Sequence, residues 1–96
     1  MRVTYHPSVQ QDVSGILKYY DEHSDRLGNE FWDELMVCIE GAAENPERAH
    51  FSVSGLHRVN LQRFPYHFLY RILPGRIRIT VVRHNKRHPA YGAARR

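Results

Sequence analysis

The stretch YHFLYRILPGRIRITVVRH, residues 66–84, decides the fold of this chain. Apolar and polar residues alternate on both sides of Pro74-Gly75, and a period of two is typical of strands with one buried face. Pro-Gly is also a favourable pair for a type II turn. The stretch therefore predicts an antiparallel hairpin with a two-residue turn, in which Arg71 lies opposite Arg78.

The residues before this hairpin complete an α+β domain. RVTY, residues 2–5, predicts a short first strand, and LHRVNLQRF, residues 56–64, predicts a strand before the hairpin. Between them, apolar residues recur at helical spacing over residues 7–20 and 25–45, and a loop follows at residues 52–55. The order β-α-α-β-β-β predicts an antiparallel sheet with a two-helix hairpin packed on one of its faces.

The predicted sheet has one apolar face and one polar face. With two-residue turns throughout, the core face carries Val59, Leu61, Phe68, Tyr70, Ile72, Ile77, Ile79 and Val81. The opposite face carries Arg58, Asn60, Gln62, His67, Leu69, Arg71, Arg78, Thr80, Val82 and His84. This register sets Arg58, Arg71 and Arg78 side by side, although like charges that face each other destabilise a sheet. We therefore expect the three to bind an anion such as phosphate; a solvated face is the alternative.

Charge is divided unevenly along the 96 residues, a length that fits a single domain over residues 1–96. Residues 1–48 hold ten Asp and Glu against four Lys and Arg, a balance of −6, whereas residues 49–96 hold ten Lys and Arg and no acid, a balance of +10. A division this sharp predicts a polyanionic partner for the second half. The alternative is that the two halves neutralise each other across the fold.

The cysteine content and hydropathy limit the class of protein. Cys38 is the only cysteine, so an intrachain disulfide is excluded, and the sequence contains no metal-ligand pattern. We expect no cofactor. No apolar run is long enough to span a bilayer, and no signal peptide is recognisable. The expectation is a reduced, cytoplasmic protein without a membrane partner.

Four stretches of the sequence resemble one protein family. They are GLHRVNLQRFPYHFLYRI (residues 55–72), RIRITVVRHNKRHPAYGAARR (76–96), FWDEL (31–35) and ENPER (44–48). Over nearly the whole chain they resemble the RelE/ParE superfamily of toxins from bacterial type II toxin–antitoxin modules. The resemblance implies the superfamily's fold and a role in plasmid stabilisation. It also implies a cognate antitoxin as partner, acidic or mixed in charge and partly disordered when free.

The resemblance implies one of two activities. RelE-like members enter the ribosome and cut mRNA without a metal, by transferring phosphate to the 2′-OH. This reaction needs a base, an acid and cations for the developing charge. ParE-like members inhibit DNA gyrase and have no nuclease chemistry. The candidate His and Tyr residues favour the ribosome-dependent mRNA endonuclease, with the gyrase inhibitor as the alternative. A nucleic-acid-binding domain without toxicity is a third hypothesis.

The resemblance and the predicted strand register together place candidate site residues on the strands and in the segment that follows them. The candidate catalytic residues are His67, Arg71, Arg83, His88 and Tyr91. The candidate nucleic-acid-binding residues are Arg58, Arg63, Arg78, His84, Lys86 and Arg87. The cations would hold phosphates, imidazole titrates near neutral pH, and Tyr91 offers a stacking surface for a base. The chain departs from the nuclease pattern because it has no Glu after Glu47 to act as a base, and a packing role is the alternative for each His.

Overall fold

The computed structural model describes residues 1–51 and 55–96 and confirms the predicted α+β fold. Its elements are β1 (Arg2–Tyr5), α1 (Val9–Asp21), α2 (Asp25–Glu44), β2 (His50–Phe51), β3 (His57–Asn60), β4 (Tyr66–Leu73) and β5 (Arg76–His84). In the described residues the sheet has five strands in the order β1-β5-β4-β3-β2. The predicted loop falls partly on residues 52–54, which lie outside the described part of the chain.

The strand pairings make the sheet mixed. β2 with β3, β3 with β4, and β4 with β5 pair antiparallel, as the sequence predicts. β1 pairs with β5 in parallel. The chain reaches β5 from β1 only after the two helices, and parallel neighbours need a long connection of this kind. β1 covers only Arg76–Ile79 of β5, so within residues 1–51 and 55–96 no strand pairs with the second half of β5 on that side.

The two helices pack their apolar sides on one face of the sheet. Ser24 caps α2, because its side-chain oxygen accepts a hydrogen bond from the backbone N–H of Arg26. The helix ends at Glu44, just before Asn45-Pro46, since Pro cannot continue a helix. The large core residues with almost no exposed surface are Phe31, Leu35, Phe68, Tyr70, Ile77 and Ile79.

A β-bulge divides the β4–β5 hairpin into two halves. From the turn up to Tyr70, which lies opposite Ile79, the register is the predicted one. The next pair is Leu69 and Val81, so Thr80 is an extra residue in β5. Because side chains alternate across a strand, one extra residue moves every later side chain to the other face.

The bulge makes the predicted face assignment wrong beyond Thr80. Val82, not Val81, belongs to the core under the helices, and Val81 lies on the opposite face. Arg83 lies opposite His67 on β4, so it takes the side of the sheet that the sequence analysis assigns to His84. His84 lies on the helix side instead.

The connection between β3 and β4 is longer than the two-residue turn that the sequence analysis assumes. The backbone N–H of Leu61 donates to the carbonyl oxygen of Tyr66 at 2.9 Å, and Arg58 lies opposite Leu69. The register is displaced by two residues, which preserves the two faces but changes every partner. The predicted row of three adjacent arginines is therefore wrong, because Arg58 does not lie opposite Arg71.

Candidate functional site on the open face of the sheet

The open face is the side of the sheet that points away from the helices, and cations lie at two places on it. The first place is the hairpin pair, Arg71 and Arg78, which lie directly opposite each other on β4 and β5. Both side chains are partly exposed. Like charges that face each other destabilise a sheet, and an anion bound between them removes that repulsion. The hairpin pair is therefore a candidate anion site.

The second place is the strand-end cluster, which consists of Arg58, His67 and Arg83. Arg83 Nε donates to His67 Nε2 at 2.9 Å across the β4–β5 pair. Arg58 lies on the neighbouring strand, where its Nε donates to Asn60 Oδ1 at 2.8 Å. Burial lowers the pKa of both His67 and Arg83, and the nearby charge of Arg58 lowers it further. The structure thus brings three of the predicted site residues together.

His67 is held as a neutral ring. It is 1% exposed, and burial is the main reason why its pKa falls from 6.5 to about 4. Since Arg83 Nε is always a donor, His67 Nε2 accepts, and the ring proton lies on Nδ1, which donates to Asn85 Oδ1 at 2.8 Å. Both ring nitrogens are engaged, so this His orients Arg83 in the folded chain.

An apolar strip separates the two cationic places. Leu56, Leu69 and Val81 are buried there, and Tyr91 packs against them. On β4, Leu69 lies between His67 and Arg71 on the same side of the strand. The open face therefore has charge at both ends and a hydrophobic centre.

Arg83 connects the strand-end cluster to the tail, residues 85–96. Its Nη1 donates to the carbonyl oxygens of Pro89 at 2.8 Å and Tyr91 at 2.7 Å. With the bond to His67, one guanidinium group holds β4, β5 and the tail together. Arg83, a predicted catalytic residue, thus has a structural role, because it donates three hydrogen bonds to other groups of the protein.

Asp12 on α1 fixes the other side of the tail, and the sequence analysis missed it. Its carboxylate accepts from Tyr91 Oη at 2.8 Å, from Arg95 Nη1 at 2.6 Å and from the backbone N–H of Val82 at 3.2 Å. The side chain is only 1% exposed, and its bond to Arg95 raises the pKa of that guanidinium. Arg95 also donates to the carbonyl oxygen of Thr80. Asp12 and Arg95 thereby provide hydrogen-bond partners for backbone groups of Thr80 and Val82, in the part of β5 that β1 does not reach.

A signal for Asp12 is present in the sequence. Asp12 stands three residues after Val9 and four before Ile16, so it falls on the buried stripe of α1. A carboxylate on an apolar stripe needs a cationic or N–H partner. The sequence does not reveal that partner, because Arg95 lies 83 residues further along the chain.

The other predicted site residues lie outside the open face. Arg63 pairs with Glu30 of α2 at 2.5 Å. His84 packs edge-to-face on Tyr66 on the helix side, with ring centroids 5.0 Å apart. Lys86, Arg87 and His88 are exposed in the tail, where His88 Nδ1 accepts from the N–H of Ala90 and Arg87 lies 4.0 Å above the ring of Tyr91. The Arg63–Glu30 and Arg95–Asp12 pairs also show that the two halves of the chain neutralise each other in part.

A second surface lies between the helices. The helix groove has a volume of about 590 Å³ and is apolar at its centre, and Trp32 remains 44% exposed on it. Hollows at its two ends carry more acids than cations: Asp21 and Glu22 with Lys18 at one end, and Glu40 and Glu44 with the amino group of Met1 at the other. The central side chains are Val13, Leu17, Trp32, Leu35, Met36 and Ile39.

Residues 1–51 and 55–96 offer neither a metal site nor a membrane-spanning helix. This part of the chain contains no group of three His, Cys, Asp or Glu side chains that could hold a metal ion. None of its helices combines the length and the apolar character that crossing a membrane requires.

The fold occurs in a solved structure. A chain of the structure described as the chromosomal ParDE TA system from P. aeruginosa superimposes with a TM-score of 0.76. The match covers 88% of this chain and 95% of that chain at 16% sequence identity. No protein-family model matches the sequence, and no curated protein matches it. At this level of identity the likeness demonstrates a common fold.

Proposed function

We propose that this chain is the toxin of a bacterial toxin–antitoxin pair and acts in the cytoplasm. The observation that carries the proposal is the fold shared with a chain of the ParDE system over most of both chains. The two surfaces support it, since a toxin has to bind both a target and an antitoxin. The open face offers cations to a target that contains nucleic acid, and the helix groove offers apolar area to a partner.

We propose further that the toxin inhibits by binding, as a ParE-like inhibitor of DNA gyrase does. The support comes from the groups that a nuclease would use. His67 is buried and neutral with both nitrogens bonded, and the hydroxyl of Tyr91 donates to Asp12. A general acid or base has to reach the substrate with an exchangeable proton. Groups bonded in this way serve the fold better than proton transfer.

A ribosome-dependent mRNA endonuclease is the second candidate, and the hairpin pair favours it. Arg71 and Arg78 lie opposite each other and match the two-point contact that a phosphate accepts from arginines. In this candidate the two arginines hold the scissile phosphate. His88, which is exposed in the tail, supplies the proton transfer.

The antitoxin would use the helix groove and the open face together. An amphipathic helix with an apolar stripe fits the centre of the groove, and Lys or Arg at its two ends would meet the acids there. A following acidic segment would suit the cations of the open face. The partner is therefore expected to be mixed in charge, basic where it meets the helices and acidic where it meets the sheet.

The test induces the chain alone in bacteria and then assays the purified chain on two targets. Growth arrest that an antitoxin relieves is expected. Inhibition of gyrase supercoiling, with mRNA left intact in cell-free translation, is the expected pattern. Arg71→Ala should remove the inhibition. Arg63→Ala is the matched control, because Arg63 lies on the helix side and pairs with Glu30.

Two results would change this assignment. New mRNA ends that require ribosomes and vanish in Arg71→Ala would replace the gyrase inhibitor with the endonuclease. Unhindered growth on induction, with both targets unaffected, would contradict the toxin proposal and leave a nucleic-acid-binding domain without toxicity.

A further inference from the structure

A separate cleft lies between α1 and the residues that follow β5. It has a volume of about 370 Å³ and is lined by residues of α1, of the far end of β5 and of the tail, so it does not include the hairpin pair. Cavities of small-ligand sites span roughly 300 to 1,000 Å³, so this one suits a single small molecule. Neither the proposed gyrase contact nor the antitoxin groove uses it.

The inner wall of the cleft is aromatic. Tyr66 is buried, and the ring of His84 meets it edge-to-face at an angle of 78°. Tyr19 on α1 lines the opposite side and is 55% exposed. Its ring contacts Tyr20 edge-on at 5.2 Å and His23 at 4.7 Å between centroids, and more than half of the residue remains accessible to a ligand. A flat aromatic ligand would find π surfaces on both sides of the cleft.

The mouth of the cleft carries positive charge. Arg87 lies 4.0 Å from the centroid of the Tyr91 ring, and this contact holds the exposed guanidinium beside the opening. The N–H of Lys86 donates to His84 Nδ1 at 3.0 Å, which fixes the turn that carries Arg87. Asp12 also lines the cleft, but Arg95 neutralises it and its side chain is almost inaccessible. The cleft therefore attracts an anion.

Gly15 leaves the cleft open from the side of α1. It lies in the middle of the helix, where glycine is less stable than alanine. A Cβ atom built on Gly15 meets no atom within 4 Å, so crowding does not require glycine here. Any large side chain at this position would project into the entrance of the cleft.

We propose that this cleft binds one nucleotide, with its base between Tyr19 and His84 and its phosphate on Arg87. The aromatic wall, the cation at the mouth and the small volume together match a nucleoside monophosphate. The proposal does not rest on the toxin assignment, because it is argued from the lining of the cleft alone. The ligand is either a free nucleotide or one nucleotide of a single-stranded RNA, and both present the same base and phosphate.

The experiment titrates the purified full chain with AMP, UMP, inorganic phosphate and a short single-stranded RNA, and follows backbone and aromatic NMR signals. Saturable shifts at Gly15, Tyr19 and His84 are expected with the nucleotides. Gly15→Leu should abolish them, whereas Gly15→Ala, which leaves the entrance open, should bind as the wild type does. Arg87→Ala should weaken AMP binding about tenfold, the value of one charge-assisted hydrogen bond.

Each arm decides one question. Tighter binding of the RNA than of AMP assigns the site to a nucleic-acid strand, and equal or weaker binding assigns it to a free nucleotide. Inorganic phosphate that binds as tightly as AMP would overturn the aromatic part of the site. AMP binding that survives both Gly15→Leu and Arg87→Ala, or no binding at millimolar AMP or RNA, would overturn the proposal. Arg87→Ala decides alone if Gly15→Leu fails to fold, because Arg87 is on the surface.

Discussion

The two ends of the β4–β5 hairpin use the same kinds of residue for opposite purposes. At the turn end, Arg71 and Arg78 lie opposite each other on the open face, and both side chains are partly exposed. At the far end, Arg83 donates its hydrogen bonds to carbonyl oxygens of the tail, and Arg95 of the tail donates to Asp12. An arginine-rich strand is therefore not a binding surface along its whole length. The bulge separates the facing pair Arg71 and Arg78 from Arg83, whose hydrogen bonds hold the tail.

The largest expected effect is on the far end. Asp12→Ala leaves Arg95 and Tyr91 without their common acceptor, and we expect the free energy of unfolding to fall by about 3 kcal/mol, the cost of breaking a buried ion pair. Urea unfolding measures it. Glu40→Ala, an exposed acid on the other helix, should stay within about 0.5 kcal/mol. A loss below about 1 kcal/mol in Asp12→Ala would mean that this carboxylate does not hold the tail.

A smaller effect is expected where the tail touches the sheet. Gly92 has φ +75°, and a Cβ atom built on it would lie 2.6 Å from Val81 Cγ2. Gly92→Ala combines strain with this clash, so a loss of about 2 kcal/mol is expected. Gly75→Ala at the hairpin turn is the matched control, with φ +72° and open space around the added methyl. It should cost about 1 kcal/mol. Equal losses in the two variants would show that the tail does not pack tightly on Val81.

The stability that the far end contributes is expected to depend on pH. His67 titrates near 6.5 in the unfolded chain and near 4 in the folded chain. Between these values the unfolded chain binds more protons, so its contribution to stability is complete above pH 6.5 and is lost as the pH falls toward 4. We expect a loss of at least about 1.5 kcal/mol over this range, against roughly 3 kcal/mol for the full shift in pKa.

His67→Gln tests this assignment through the pH profile of unfolding. The variant is expected to flatten the change in unfolding free energy between pH 6.5 and 4. His23→Gln is the control, because His23 is exposed at the end of α1 and should leave the slope intact. A slope that persists in His67→Gln would assign the proton uptake to another group.

The smallest effect on stability is expected at the turn end. Arg78→Ala removes one of two facing like charges, so the free energy of unfolding should stay within about 0.5 kcal/mol of wild type. Its affinity for single-stranded RNA or DNA should nevertheless fall, and the salt dependence of binding should become shallower. The control variant Arg63→Ala should keep the wild-type affinity and the wild-type salt dependence of binding. Unchanged affinity and salt slope in Arg78→Ala would show that the turn end does not bind phosphate.

The predictable part of the fold is the part with local causes. The Pro74-Gly75 turn sets the first pairs of the hairpin, and the helix ends follow from Ser24 and Pro46. The bulge at Thr80 has no such local signal, since an alternating run reads the same with or without an extra residue. It decides which of Val81 and Val82 is in the core and brings Arg83 beside His67.

The candidate site was predictable in residue type but not in arrangement. The sequence predicts Arg58, His67 and Arg83 as site residues. Their proximity depends on two register changes that lie far apart in the chain. The bonds of Asp12 to Tyr91 and Arg95 span the whole domain. No pattern of neighbouring residues encodes such a contact, so only the assembled sheet reveals it.

The bond between Asp12 and Arg95 also has a consequence for the order of synthesis. The ribosome makes Asp12 early, and the guanidinium that neutralises it follows 83 residues later. Until then, α1 carries a carboxylate on its buried stripe, and the second half of β5 lacks its cover. Contacts this distant in sequence form late and slow the folding of a domain. A nascent chain of this protein therefore cannot complete its native fold until Arg95 has been synthesised.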